Sequence, residues 1–83
     1  MTIKHPGDVL QAAIEASGMT LRQVSETIGV SHSTLSRIIN RKQVLTADLA
    51  VKLGGFCNET PLALLSLQNR YDLAQIQGND AQV

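Results

Sequence analysis

Cysteine, proline and aromatic residues are scarce in these 83 residues: one Cys, two Pro, one Phe, one Tyr and no Trp. The single thiol, Cys57, excludes an internal disulfide framework and any multi-cysteine zinc site, and it fits a reducing compartment. His5 and His32, the two histidines, stand at no metal-ligand spacing to each other or to Cys57, so no metal or cofactor is expected. With Phe56 and Tyr71 the only rings, there is no aromatic cage for a cation and no stacking platform for single-stranded bases; the core must be aliphatic. No apolar run approaches the roughly 18 residues that cross a bilayer, and Met1-Thr-Ile-Lys-His-Pro6 does not read as a signal peptide. A soluble, cytoplasmic protein of one small domain is expected, over residues 1–77, with 78–83 as a disordered tail.

Net charge is missing as well, since seven basic residues balance seven acidic ones. The zero hides a polarised chain. Residues 1–18 carry −1 and residues 43–83 carry −2, whereas residues 19–42 carry +3, with Arg22, Arg37, Arg41 and Lys42 against Glu26 alone. Any argument for an acidic partner therefore rests on that middle segment.

What the chain does have is a series of capping residues ahead of helix-periodic apolar segments, which predicts an all-α fold of five helices. Asp8 is expected to cap the first, after a His5-Pro6-Gly7 turn, and Gly18 to stop it. Thr20 opens the second with Gln23 at capping-box spacing, and Met19 and Val24 stand at the staple positions. Gly29 ends that helix, Ser31 caps the third, and Asn40 is expected to close it in the left-handed conformation. Thr46 starts a fourth helix, for which Gly54-Gly55 predicts a frayed or early end. Thr60-Pro61 starts a fifth that runs to about Ile76.

Residues 21–40 carry the informative pattern. Two short helices joined by a three-residue turn pack at a steep angle only with apolar residues at fixed positions, a small residue at the closest approach and a turn that admits positive φ. Val24, Ile28, Val30, Leu35 and Ile38 supply the first, Ser25 the second and Gly29 the third, which predicts a helix-turn-helix. Once Leu35, Ile38 and Ile39 face inward, His32, Ser33, Ser36, Arg37 and Asn40 fall on an acid-free outer face. Such a face suits the major groove of double-stranded DNA. Arg37 is the first candidate to read a base, because its guanidinium can donate two parallel hydrogen bonds to guanine. His32, Ser33, Thr34 and Ser36 follow it, and Thr20, Arg22, Asn40, Arg41 and Lys42 are candidates for phosphate contacts. Each also has a plainer reading: a solvated arginine, a surface histidine, small polar filler or a charged loop. Cys57 fits a small core residue better than a nucleophile, and no catalytic constellation is present, so the chain is not expected to be an enzyme.

The fifth helix has two apolar stripes: Leu64, Leu67, Tyr71 and Ala74 on one side, and Leu62, Leu65, Leu73 and Ile76 on another. One small core cannot use both. The first stripe is the candidate interface of a two-fold homodimer, which implies an inverted-repeat operator.

His5-Pro6-Gly7-Asp8-Val9-Leu10, Ile28-Gly29-Val30-Ser31 with Leu35-Ser36-Arg37-Ile38, Leu45-Thr46-Ala47-Asp48-Leu49-Ala50 and Leu67-Gln68-Asn69-Arg70-Tyr71-Asp72-Leu73 together resemble a known group. It is the xenobiotic-response-element type of helix-turn-helix regulators, and within it the HigA-type antitoxins; the resemblance covers about residues 4–74. It implies a lambda-repressor-like fold and a dimeric antitoxin that neutralises a small, basic, RelE-like mRNA-cleaving toxin and represses the operon encoding both. The chain departs from that group at Leu21, where Gln is frequent, at Leu64, where Trp is common, and at Asn40-Arg41, where Asn-Gly is common. Gly54-Gly55 and Cys57 also shift the usual glycine position. A stand-alone repressor without a toxin, or an interaction module that has lost DNA binding, are the competing readings.

Overall fold

The computed structural model describes residues 3–77, and the tail expected at 78–83 lies outside them. Five helices follow one another, α1 (Pro6–Ser17), α2 (Leu21–Ile28), α3 (His32–Ile39), α4 (Ala47–Cys57) and α5 (Pro61–Gln77), with no strand among the described residues. The fold is that of a lambda-repressor-like helix-turn-helix domain. Its core is aliphatic, as the shortage of rings required: Leu10, Val24, Val30, Leu35, Ile38, Leu45, Ala50, Leu53 and Leu64 are buried together.

α2 and α3 are set by their caps. Thr20 Oγ1 accepts from the Gln23 N–H at 3.1 Å while Gln23 Oε1 accepts from the Thr20 N–H at 2.9 Å, a reciprocal capping box. Gly29 then takes φ 73° and donates its N–H to Ser25 O at 3.0 Å, closing α2 with a conformation that a side chain would oppose. Two residues on, Ser31 Oγ accepts from the Thr34 N–H at 3.1 Å and starts α3.

The start of α1 differs from expectation. His5 is the cap, its Nδ1 accepting from the Gly7 N–H at 2.9 Å, so Pro6 and Gly7 are already helical. Asp8 completes the box from the third helical position, its Oδ2 accepting from the His5 N–H at 3.1 Å and the Lys4 N–H at 2.9 Å. An imidazole nitrogen thus does the work of a hydroxyl, which cap preferences do not anticipate. Gly7 serves a second purpose: a Cβ there would lie 2.5 Å from the backbone oxygen of Ile38. The missing side chain lets α1 rest directly on the last turn of α3.

The end of α3 also corrects the sequence reading. Asn40 is at φ −89°, and Arg41, not Asn40, is left-handed at φ 60°. Arg41 N–H donates to Ile38 O at 3.2 Å and Lys42 N–H to Arg37 O at 2.8 Å, the paired bonds of a Schellman closure. The left-handed residue is the one that follows the cap, so Arg41 stands where glycine would be least strained. In α4, Gly54-Gly55 neither frays nor ends the helix, which continues to Cys57. Gly54 is buried, and a Cβ on it would meet Glu59 O at 2.7 Å; its smallness admits the returning chain.

α5 sorts its two stripes differently from the expected dimer surface. Leu64 is 1% exposed in the protein's own core, which leaves it nothing to offer a partner, and Tyr71 is half-buried with His5 edge-on at 4.6 Å. Leu67 and Ala74 are half-buried as well, whereas Leu62, Leu73 and Ile76 are exposed. The outer stripe is the one open to solvent.

Candidate nucleic-acid interface

α3 turns Leu35 and Ile38 into the core, and the outer face follows from that anchoring. His32, Ser33, Arg37 and Asn40 are exposed, and Thr34 and Ser36 are half-buried. Arg37 is held from two sides: its Nε donates to Gln43 Oε1 at 2.9 Å, and its Nη2 lies 3.4 Å from Thr34 Oγ1. Thr34 Oγ1 in turn accepts from the Ser31 hydroxyl at 2.8 Å. Asn40 Nδ2 donates back to Ser36 O at 2.8 Å, so its amide is partly engaged within its own helix.

The phosphate candidates divide. Arg22 and Lys42 are exposed with no ion-pair partner among the described residues. Thr20 is exposed, but its hydroxyl is already the α2 cap. Arg41 is the most engaged: its Nη2 reaches Asp8 Oδ1 at 3.0 Å and Oδ2 at 2.9 Å, and its guanidinium lies 5.5 Å from the Tyr71 ring centroid. Sequence spacing brings Arg41 and Lys42 together, while the fold sends only Lys42 outward unpaired.

A polar cluster lies behind this face and ties α1, the loop after α3 and α5 together. Burial, then the charge of Arg41, holds the His5 imidazole below its ordinary 6.5, against the opposite pull of Asp8 and Asp72. Burial disfavours the Asp8 carboxylate, but hydrogen bonds from Lys4 and His5 N–H groups and the Arg41 charge outweigh it and hold the group below 3.8. Gln68 is buried; its Oε1 accepts from the Leu45 N–H at 3.1 Å and its Nε2 donates to Asp72 Oδ1 at 2.9 Å. The loop between α3 and α4 is thereby pinned at Arg41, Gln43 and Leu45.

Gln43 is the site residue that the sequence reading missed. Six positions from Arg37 in an irregular loop, it carries no periodicity or motif, and only the path of the folded chain brings the two together. Elsewhere, Cys57 is half-buried, and burial followed by the charge of Glu59 pushes its thiol up to about 11, so it is a protonated thiol at neutral pH. No group of three His, Cys, Asp or Glu among the described residues could hold a metal ion, and no helix is long and apolar enough to cross a membrane.

A basic, acid-free helix presented by a glycine turn defines a DNA-binding helix-turn-helix regulator. The helix-turn-helix family model matches residues 10–65, and the chain belongs to that family. It is 32% identical over 73 residues to the HTH-type transcriptional regulator YddM of Escherichia coli (strain K12), covering 88% of this chain and 78% of that one. Virulence-associated protein A' of Dichelobacter nodosus is 34% identical over 73 residues, covering 87% of this chain. Antitoxin HigA-1 of Vibrio cholerae is 37% identical over 68 residues, covering 81% of this chain. The chain spans 64% of the length of each of these last two relatives. Two of these relatives are named a transcriptional regulator and an antitoxin, and neither they nor the helix-turn-helix family are enzymes.

Proposed function

We propose that this chain is a cytoplasmic, homodimeric repressor that binds an inverted-repeat operator through α3 and acts as the antitoxin of a small basic RelE-like mRNA endonuclease, whose operon it represses. The observation that carries the DNA-binding part is the outer face of α3. Arg37 is held in place by Gln43 and Thr34, and the exposed Lys42 ends a segment, from Ser31 to Lys42, that contains no acid. In this reading Arg37 reads a base, with His32, Ser33, Thr34 and Ser36 beside it, while Thr20, Arg22, Asn40 and Lys42 contact phosphates. Arg41 contributes its charge to the same field from its pair with Asp8. The antitoxin part is supported by the likeness to HigA-1. The dimer is supported by Leu62, Leu73 and Ile76, exposed on one stripe of α5 with the half-buried Leu65 beside them.

Affinity for the chain's own promoter, measured between about 50 and 200 mM salt, tests the DNA face. Arg37→Ala relaxes sequence preference and costs about 1–3 kcal/mol, whereas Lys42→Ala weakens all sequences alike and lowers the salt slope by about one. Co-purification of a small basic protein encoded next to this gene, and relief of its toxicity by this chain, tests the antitoxin role. The second reading is a stand-alone repressor, supported by the likeness to YddM. Operator binding with no toxic neighbouring gene product would favour it.

A further inference from the structure

We propose that Gln43 is a specificity-determining positioning residue, which aims the Arg37 guanidinium at its base from outside the recognition helix; this rests on the reading of Arg37 as the base contact. A guanidinium is planar, so holding it at both Nε and Nη2 fixes the plane, and Nη1 with the second hydrogen of Nη2 can still donate two parallel bonds. Gln43 Oε1 takes the Nε–H at 2.9 Å, and Nη2 approaches Thr34 Oγ1 at 3.4 Å.

The brace is itself anchored. Gln43 is half-buried in a loop whose two flanks are tied down, on one side by Arg41 to Asp8 and on the other by the Leu45 N–H to the buried Gln68. Leu45 is buried in the core. Thr34 is likewise held by Ser31 Oγ at 2.8 Å. An arginine restrained in this way loses less freedom on binding and presents one orientation rather than many, so it discriminates more sharply against a base with the wrong acceptors.

The test is selection of preferred sites from randomised duplexes, followed by affinity measurements on the selected site and on single-base-pair variants of it. Arg37→Ala identifies the base pair that Arg37 reads. At that base pair Gln43→Ala is expected to lower discrimination about 3–10-fold, the worth of one hydrogen bond, while affinity for unrelated duplex changes less than about twofold. The Arg37→Ala/Gln43→Ala double variant loses no more discrimination than Arg37→Ala alone, because the two residues act as one unit. Gln43→Glu keeps the acceptor and retains the preference while weakening all duplexes alike. Gln43→Leu, which removes the acceptor and keeps bulk, repeats the result should the alanine variant lose stability. Unchanged discrimination in both Gln43→Ala and Gln43→Leu, or equal weakening of every duplex by them, would overturn the proposal while leaving Arg37 as the reader. An Arg37→Ala variant that alters no base preference would overturn both.

Discussion

Three residues carry most of the local physics, and each gives a measurable consequence. His5 caps α1 through an unprotonated Nδ1 that accepts from the Gly7 N–H, a bond the imidazolium cannot make. Its value in the folded state lies below 6.5, so the unfolded chain takes up the proton first as pH falls. The stabilising contribution is therefore complete above about 6.5 and is lost progressively below it until the folded-state value is passed; Asp8 adds a further loss below 3.8. Thermal unfolding between pH 7.5 and 5 should show this slope, and His5→Asn, which keeps a cap acceptor but does not titrate, should flatten it. Arg41 combines strain and attraction, with a left-handed φ of 60° offset by its pair with Asp8 and its place near Tyr71. Arg41→Ala and Arg41→Gly both lose the pair, but alanine keeps the strain, so it should be the less stable of the two by about 1 kcal/mol in denaturant unfolding. Gln68→Ala leaves the buried Leu45 N–H without its acceptor and should cost about 1–3 kcal/mol by the same measurement.

Among the elements, the helices with hydroxyl caps and glycine stops were legible because those signals act within four residues: Thr20 with Gln23, Gly29, Ser31, Thr46, and Thr60 before Pro61 all stand where expected. Legibility ended where one element depends on another. Gly7 looks like a turn residue in sequence, yet the His5 cap places it inside α1, where its missing side chain lets the helix approach the Ile38 carbonyl. Gly54 looks like a helix breaker, yet it is retained inside α4 because Glu59 returns against it. The orientation of Arg37 depends on a loop residue, and the stripe of α5 that fills the core could not be chosen from periodicity when both stripes are apolar. Gly7→Ala should therefore push α1 away from α3, with a loss of about 1–3 kcal/mol read in thermal or denaturant unfolding. An unchanged midpoint would mean that the two helices do not touch in this way.

Across the molecule, the basic segment ends in α3 and the loop behind it, while Leu62, Leu73 and Ile76 are exposed together on α5; Ile3, Val44 and Val51, the other exposed large apolar side chains, lie apart from that stripe. A protein that reads DNA with one face and pairs through another has this division of labour. In the proposed dimer, two α3 helices would lie about 34 Å apart on successive major grooves. Ile76→Glu, at a position 82% exposed, should shift sedimentation at micromolar concentration from dimer toward monomer without unfolding the domain. A variant that sediments like the parent would remove α5 from the interface.

Whether the outer face of α3 is the surface that meets DNA is read by titrating the isotope-labelled chain with its operator duplex and following backbone amide resonances. The largest changes are predicted at Ser31 through Arg37 and at Lys42 and Gln43, with lesser ones at Thr20 and Arg22. Changes confined to α5 and the far side of α1, with α3 undisturbed at saturating operator, would show that α3 is not that surface.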